Sequence, residues 1–256
     1  MSNITPRDFL ERLNEILRKD PEMLEAVQAL VSINCGGKPD DLSFLYELHR
    51  ELLGQSTSQF RQDIFALNEL GYKRDGFFVE FGAADGVSAS NTLLLENHFG
   101  WNGILAEPAV GWHEDLHRNR RCSIDTGCVW SSSGEQLAFN ETEIREYSAI
   151  DASGGASADG ADGNTGKTYE VTTISLNDLL EKHGAPRDID YLSIDTEGSE
   201  YDILSHFDFD RYNVRVITCE HNFAPSRDKV FELLSRHGYR RKLEKVSQVD
   251  DWYVKA

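Results

Sequence analysis

Up to about Gly71, apolar residues recur at helical spacing. Thr5 and Pro6 read as a cap and first-turn pair, after which Phe9, Leu10, Leu13, Ile16 and Leu17 share one face. Asp20 and Pro21 restart the pattern ahead of Leu24, Val27, Leu30 and Val31, and Cys35-Gly36-Gly37-Lys38-Pro39 breaks it. A third helix carries Phe44, Leu45, Leu48 and Leu52, and a fourth begins after Ser58 with Phe60, Ile64, Phe65 and Leu67. The pattern predicts a helical N-terminal extension over residues 1–57, with nothing catalytic in it.

From Phe77 short apolar strands alternate with helices. Strands are predicted at GFFVEFG, at Gly103 to Glu107, at Cys122 to Trp130, at Ile189 to Asp195 and at Val214 to Glu220. Helices are predicted from Thr92 to Phe99, Trp112 to Asn119, Leu176 to His183, Glu200 to His206 and Lys229 to His237. Such alternation predicts a doubly wound α/β domain over residues 58–256, its sheet mostly parallel with helices on both faces. Tyr239 to Lys245 and Trp252 to Val254 would end it as a hairpin. Asp151 to Gly166 is rich in Gly, Ala, Ser and Asp, has no apolar residue larger than Ala, and reads as a flexible insertion, residues 151–166.

Charge narrows the partners. A formal net charge of −18 argues against a nucleic-acid partner, because binders of polyanions present a basic face. The basic clusters are short: Arg118, Arg120 and Arg121, and Arg240 to Lys242. No apolar run reaches the roughly 20 residues of a membrane span. The N-terminal residues, with Pro6, Arg7, Asp8 and Glu11, lack the apolar stretch of a signal peptide. Cys35, Cys122, Cys128 and Cys219 have no CxxC spacing and read as reduced, packed thiols. A cytoplasmic protein is expected, and apolar helix faces near the N-terminus would suit a homodimer.

The strongest local signal is VEFGAADG, Val79 to Gly86. Gly82 and Gly86 flank a tight strand-to-helix turn that lets backbone approach a ligand. The spacing is G-x-x-x-G rather than the dinucleotide G-x-G-x-x-G. Glu80 and Asp85 on the turn would oppose a pyrophosphate and suit a cation, either an ammonium or a sulfonium. About twenty residues further on, the second strand ends at Glu107, where an acid accepts from both ribose hydroxyls.

VEFGAADG, SNTLLLE (Ser90 to Glu96), GWNGILAEP (Gly100 to Pro108) and IDYLSIDTEGSEYDIL (Ile189 to Leu204) together resemble the FkbM-type methyltransferases. SQFRQDIFAL, Ser58 to Leu67, is similar to the family's opening segment, with Arg61 where glycine is more usual. The resemblance covers about Ser58 to Val254. It implies a Rossmann-like class I methyltransferase fold with seven strands, S-adenosylmethionine as cofactor, and O-methylation of a hydroxyl on a sugar, glycolipid or natural product. The acceptor is then a small-molecule or glycan hydroxyl. Glu80, Gly82 and Glu107 would contact the cofactor, with Ala83, Asp85, Gly86, Asn91 and Asp195 completing its surroundings. Cys128 and Val129 would flank the adenine.

Two other readings stay open. One is a protein that binds S-adenosylmethionine without transferring its methyl. The other is a zinc hydrolase, because His113-Glu114-Asp115-Leu116-His117 matches H-E-x-x-H, although no third ligand is evident and an exposed polar helix explains the motif as well.

Activation of the acceptor rests on the fourth and fifth strand ends, Asp195 and Glu220-His221-Asn222. Sheets of this kind bind ligands at their carboxyl edge. Asp195-Thr196-Glu197-Gly198 there is not the Asn/Asp-Pro-Pro-Tyr type that nucleobase and glutamine N-methyltransferases use. Glu197 reads either as a pocket acid or as a helix-start acid favoured by the dipole. In one arrangement His221 is the general base, oriented by Asp195 or Glu220. In the other, Asp195 and Glu220 with Asn222 or His221 hold a divalent ion, magnesium or manganese.

Overall fold

The structure, a computed structural model, describes residues 51–141, 149–150 and 167–256. The helices expected before residue 51 and the insertion expected at 151–166 lie outside the described residues. Of the first unit of the chain, residues 1–55, the described part is a 3₁₀ turn at Glu51–Gly54. The second unit, residues 56–256, carries the sheet.

Helix α1 (Gln62–Glu69) buries Ile64, Phe65, Ala66 and Leu67. Arg61 before it sits at φ 70°, in the left-handed region that glycine enters without strain. That is the physical reason a glycine would be at home there.

β1 (Phe77–Phe81) is an interior strand of a seven-stranded sheet. It pairs in parallel with β2 (Asn102–Ala106) on one side and β8 (Asp188–Ile194) on the other. β3 (Ser123–Asp125) extends the sheet beyond β2, and β9 (Asn213–Glu220) extends it beyond β8. The last strand, β11 (Asp250–Lys255), slots antiparallel between β9 and β10 (Tyr239–Lys242), giving the order β10-β11-β9-β8-β1-β2-β3. The expected hairpin therefore forms, but its second strand faces inward. FFVEF and DIDYLSI are nearly continuous buried runs because helices cover both faces of the parallel strands. Chain order reverses between β1 and β8, and sheets of this kind bind ligands at the carboxyl edge beside such a switch point.

The connecting helices are α2 (Leu93–Phe99), α3 (His113–Asn119), α4 (Leu176–Lys182), α5 (Glu200–Ser205) and α6 (Ser226–Arg236). Ser175 caps α4 by accepting from the Asp178 amide at 3.1 Å.

The stretch from Cys122 to Trp130 is not one strand. Thr126-Gly127 divides it into β3 and β4 (Cys128–Trp130), which belong to different sheets. The second sheet has the order β4-β7-β5-β6, with β5 (Gln136–Glu141), β6 (Ala149–Ile150) and β7 (Lys167–Ser175). The sequence reading missed it, although KTYEVTTIS is β-branched and alternates, burying Val171, Thr173 and Ser175.

Candidate active site

The turn after β1 is folded onto the end of β8. At Gly82, φ is 79° and a Cβ would stand 1.9 Å from the Asp195 carbonyl oxygen, so no other residue fits. The Gly82 amide donates to the Ala106 carbonyl at 3.2 Å, tying the turn to β2 as well. Asp85 shapes the rest of the turn, accepting from the Val87 amide at 2.8 Å and the Ser88 amide at 2.7 Å. Gly86 meets a second obstacle, since a Cβ there would lie 2.6 Å from Arg120 Cγ.

Glu80 and Asn91 face inward. Glu80 Oε1 accepts from the Asn91 amide at 2.8 Å, and Oε2 accepts from Ser90 Oγ at 3.2 Å and from Thr92 Oγ1. Asn91 Nδ2 donates to Ser193 Oγ at 2.9 Å on β8, and its Oδ1 accepts from Ser58 Oγ at 2.6 Å. Both were expected at the cofactor. In this structure their polar atoms fasten the loop between β1 and α2 to the strands beneath it.

Arg120 completes that fastening and was missed as a site residue, reading as part of a solvated basic cluster. Its side chain is fully buried. It donates to Glu96 Oε2 at 2.7 Å, to the Gly86 carbonyl and Ser90 Oγ at 3.1 Å each, and to Thr92 Oγ1 at 2.9 Å. Glu80 Oε2 lies 3.8 Å away, and the Phe78 ring 5.5 Å from the guanidinium carbon. Nothing in the sequence distinguishes Arg120 from Arg118 and Arg121, since its burial depends on where α3 ends.

Glu107 follows β2 and is 6% exposed. Its Oε2 accepts from the Ala84 amide and its Oε1 from the Ala109 amide, both at 2.8 Å. Burial pushes its carboxyl up to about 7 despite those bonds. Each oxygen retains a lone pair for a further donor. Cys128 packs with Ala109 close to Glu107, whose charge adds to burial in pushing the thiol up to about 12. Val129 points the other way into the main core, so of the expected adenine pair Cys128 lies nearer Glu107.

At the ends of β8 and β9, Asp195, Glu197 and Glu220 converge, each offering one oxygen within 4.8 Å of the others. Asp195 and Glu220 are hydrogen-bonded to each other, and burial with the neighbouring carboxylates raises both. Burial and Glu220 push Glu197 up to about 7. Glu197 is thus the third carboxylate that the sequence had left open as a helix-start acid. That office belongs to Glu200, whose Oε1 accepts from the Gly198 amide at 2.9 Å and the Thr196 amide at 3.2 Å. Asn222, expected as a metal ligand, donates its amide to Glu197 Oε2 at 3.3 Å.

His221 is not oriented by Asp195 or Glu220, as the base arrangement required. Neighbouring residues at a strand end point to opposite faces, and its ring keeps the company of Asp251 and Phe223. Nε2 lies 3.8 Å from Asp251 Oδ1 and has no hydrogen-bond partner among the described residues, while Nδ1 accepts from the Phe223 amide at 2.9 Å. Burial lowers the affinity of the ring for a proton.

The H-E-x-x-H motif forms no metal centre among the described residues, where the carboxylate trio is the one group of three candidate ligands. His113 Nε2 is bonded to the Glu107 carbonyl at 2.9 Å, and His117 Nδ1 to the His113 carbonyl at 2.8 Å. No helix among the described residues is long and apolar enough to cross a membrane.

No curated protein matches the chain. Among solved structures, precorrin-6y C5,15-methyltransferase from Geobacter metallireducens is 16% identical with a TM-score of 0.38, covering 70% of this chain and 71% of that one. A putative RNA methyltransferase from Pyrococcus horikoshii is 13% identical at 0.36, covering 71% and 66%. The METTL16 methyltransferase domain is 11% identical at 0.42, covering 84% and 79%. The FkbM methyltransferase domain matches residues 80–241, from the glutamate of the β1 turn to β10. With that domain spanning more than half of its length, the chain belongs to the FkbM family of S-adenosylmethionine-dependent methyltransferases.

Proposed function

We infer that the chain methylates a hydroxyl on a sugar, glycolipid or related natural product, with the Asp195–Glu220 pair as general base. The observation that carries this reading is the meeting of Asp195, Glu197 and Glu220 at the carboxyl edge, beside the Gly82 turn. The residues fit the cofactor. Glu107 is a buried carboxylate with acceptor capacity left for two ribose hydroxyls, and Asp195 lies against the turn where a sulfonium would be welcome. Glu107, the backbone of Gly82 to Ala84 and Asp195 would hold S-adenosylmethionine, which when bound supplies a methyl already activated by its positive sulfur.

The chain's own task is then alignment and proton removal. A hydroxyl is a poor nucleophile until its proton moves. A carboxylate raised toward neutrality is a stronger base than an ordinary one while still ionised in part at pH 7. Asp195 and Glu220 are hydrogen-bonded to each other and both raised, so an ionised member of the pair would accept the acceptor's proton as the oxygen attacks.

The third carboxylate favours a second reading, in which Asp195, Glu197 and Glu220 hold magnesium or manganese and the ion lowers the hydroxyl pKa. One experiment separates the two. Labelled methyl donor and cell extract are incubated with wild type and Glu220→Gln, with and without chelator. Methyl transfer that survives chelation and collapses in the variant supports the carboxylate base. Transfer that vanishes with chelator and returns with magnesium or manganese selects the ion. Cofactor binding without transfer to any extract component would return the protein to a binding role.

A further inference from the structure

Three large apolar side chains are exposed among the described residues: Phe223 at 70%, Val110 at 60% and Phe231 at 36%. Phe231 lies under the Arg241 guanidinium, 4.5 Å from its ring. Val110 and Phe223 both stand just past carboxyl strand ends, after β2 and β9, on the edge that carries the site. Phe223 also adopts a backbone that its residue type avoids. Its φ is 58° and that of Asn222 is 41°, two successive left-handed residues with neither a glycine. For a bulky side chain such as Phe223 this is an outlier.

Such strain persists where surroundings impose it, and here they can be named. The His221 and Asn222 amides both donate to the Val249 carbonyl, at 2.8 and 3.2 Å, and the Ala224 amide donates to the His221 carbonyl at 2.6 Å. The Phe223 amide donates to His221 Nδ1 at 2.9 Å, and the two rings meet edge to face at 5.1 Å. Asn222 reaches across to Glu197 at 3.3 Å. A bend needed only to join β9 to α6 would be made more cheaply by Asn-Gly. This one holds an exposed aromatic ring three residues from Glu220, a chain distance of at most about 11 Å.

We propose that Phe223 is an acceptor-binding residue, a platform for the apolar face of a hydroxylated ring such as a pyranose, and that His221 is its positioning residue. The proposal rests on the O-methylation reading. The C–H groups on one face of a saturated sugar carry the slight positive charge that the face of an aromatic ring attracts, while the hydroxyls on its rim meet carboxylate acceptors. The carboxylates Glu197, Glu220 and Asp195 at the same edge disfavour a phosphate there, which argues for a neutral ring over a nucleotide. A single ring is also far too small an area for a subunit interface.

The test uses the full chain, with neutral mono- and disaccharides as binding probes in the presence of S-adenosylhomocysteine, and methyl transfer to the same sugars. Phe223→Ala should raise the sugar Kd and KM by about tenfold, the order of a lost aromatic contact, and Phe223→Trp should restore them. S-adenosylmethionine affinity should be unchanged in both. His221→Gln should raise KM without moving the pH dependence of kcat, which a general base would move. Equal sugar binding by wild type and Phe223→Ala overturns the proposal, as does a wild type that binds no sugar while transferring methyl to another class of acceptor. Loss of the O-methylation reading looks different: the wild type binds sugars through Phe223 yet transfers no methyl to them.

Discussion

A Cβ placed on Gly82 would stand 1.9 Å from the carbonyl oxygen of Asp195. The turn after β1 and the strand end that carries the proposed base are therefore one packed unit. Their spacing is set by a missing side chain. Gly82→Ala should destabilise the fold by at least about 2 kcal/mol, combining left-handed strain with the clash. Urea unfolding measures it, and a variant as stable as wild type would mean that the two segments can move apart.

Glu107 predicts the cofactor's dependence on one carboxylate. Glu107→Ala should weaken S-adenosylmethionine binding at least about tenfold, the loss of roughly one charge-assisted hydrogen bond. Calorimetry on the purified protein decides it. Equal affinities would remove Glu107 from the cofactor site, and tighter binding of NAD than of S-adenosylmethionine would replace the cofactor.

Arg120 predicts stability and loop order together. Arg120→Met leaves Glu80 and Glu96 buried without their cation, which should cost about 3–5 kcal/mol. Arg120→Lys keeps the charge but cannot reach Glu96, Gly86, Ser90 and Thr92 at once, so it should fold yet bind S-adenosylmethionine more weakly. Hydrogen exchange of residues 86–92 should quicken in the Lys variant. Wild-type exchange and affinity there would show the loop to be self-supporting.

The buried carboxylates fix the sign of the pH dependence. Asp63, Glu107, Glu197 and Asp250 are each pushed up to about 7 by burial, from ordinary values of 3.8 or 4.5. Between those values the folded chain holds protons that the unfolded chain has released, so stability falls as pH rises from about 4.5 to about 7. Asp125, Asp178 and Asp251 are lowered and act oppositely in the acid range below their ordinary value, and His221, lowered by burial from 6.5, opposes the trend as one group against four. Thermal unfolding from pH 5 to pH 8 should thus show a falling midpoint, shallower in Asp63→Asn. A midpoint that rises over this range would refute the assignment. Binding of the cationic cofactor should strengthen over the same interval as the carboxylates ionise.

Much of this was legible in the chain itself. Apolar runs such as FFVEF and DIDYLSI announce strands buried on both faces, because a parallel sheet between helices leaves no polar side. The Gly82 turn and Glu107 follow from local spacing, about twenty residues apart, as does the placing of Asp195 and Glu220 at strand ends. The split of Cys122 to Trp130 between the two sheets was hidden because Gly127 separates two three-residue strands, too short to show a periodicity, whereas the alternation of KTYEVTTIS was there to be read. Three assignments depended on tertiary structure alone. Arg120 is buried where the end of α3 meets the loop between β1 and α2, Glu197 joins the acids because the backbone turns left-handed at φ 54°, and His221 faces Asp251 because strand pleating sends it away from Glu220. Sequence spacing sets which strand end a residue occupies. The face its side chain takes, and the partners across the crevice, are set by contacts between segments far apart in the chain.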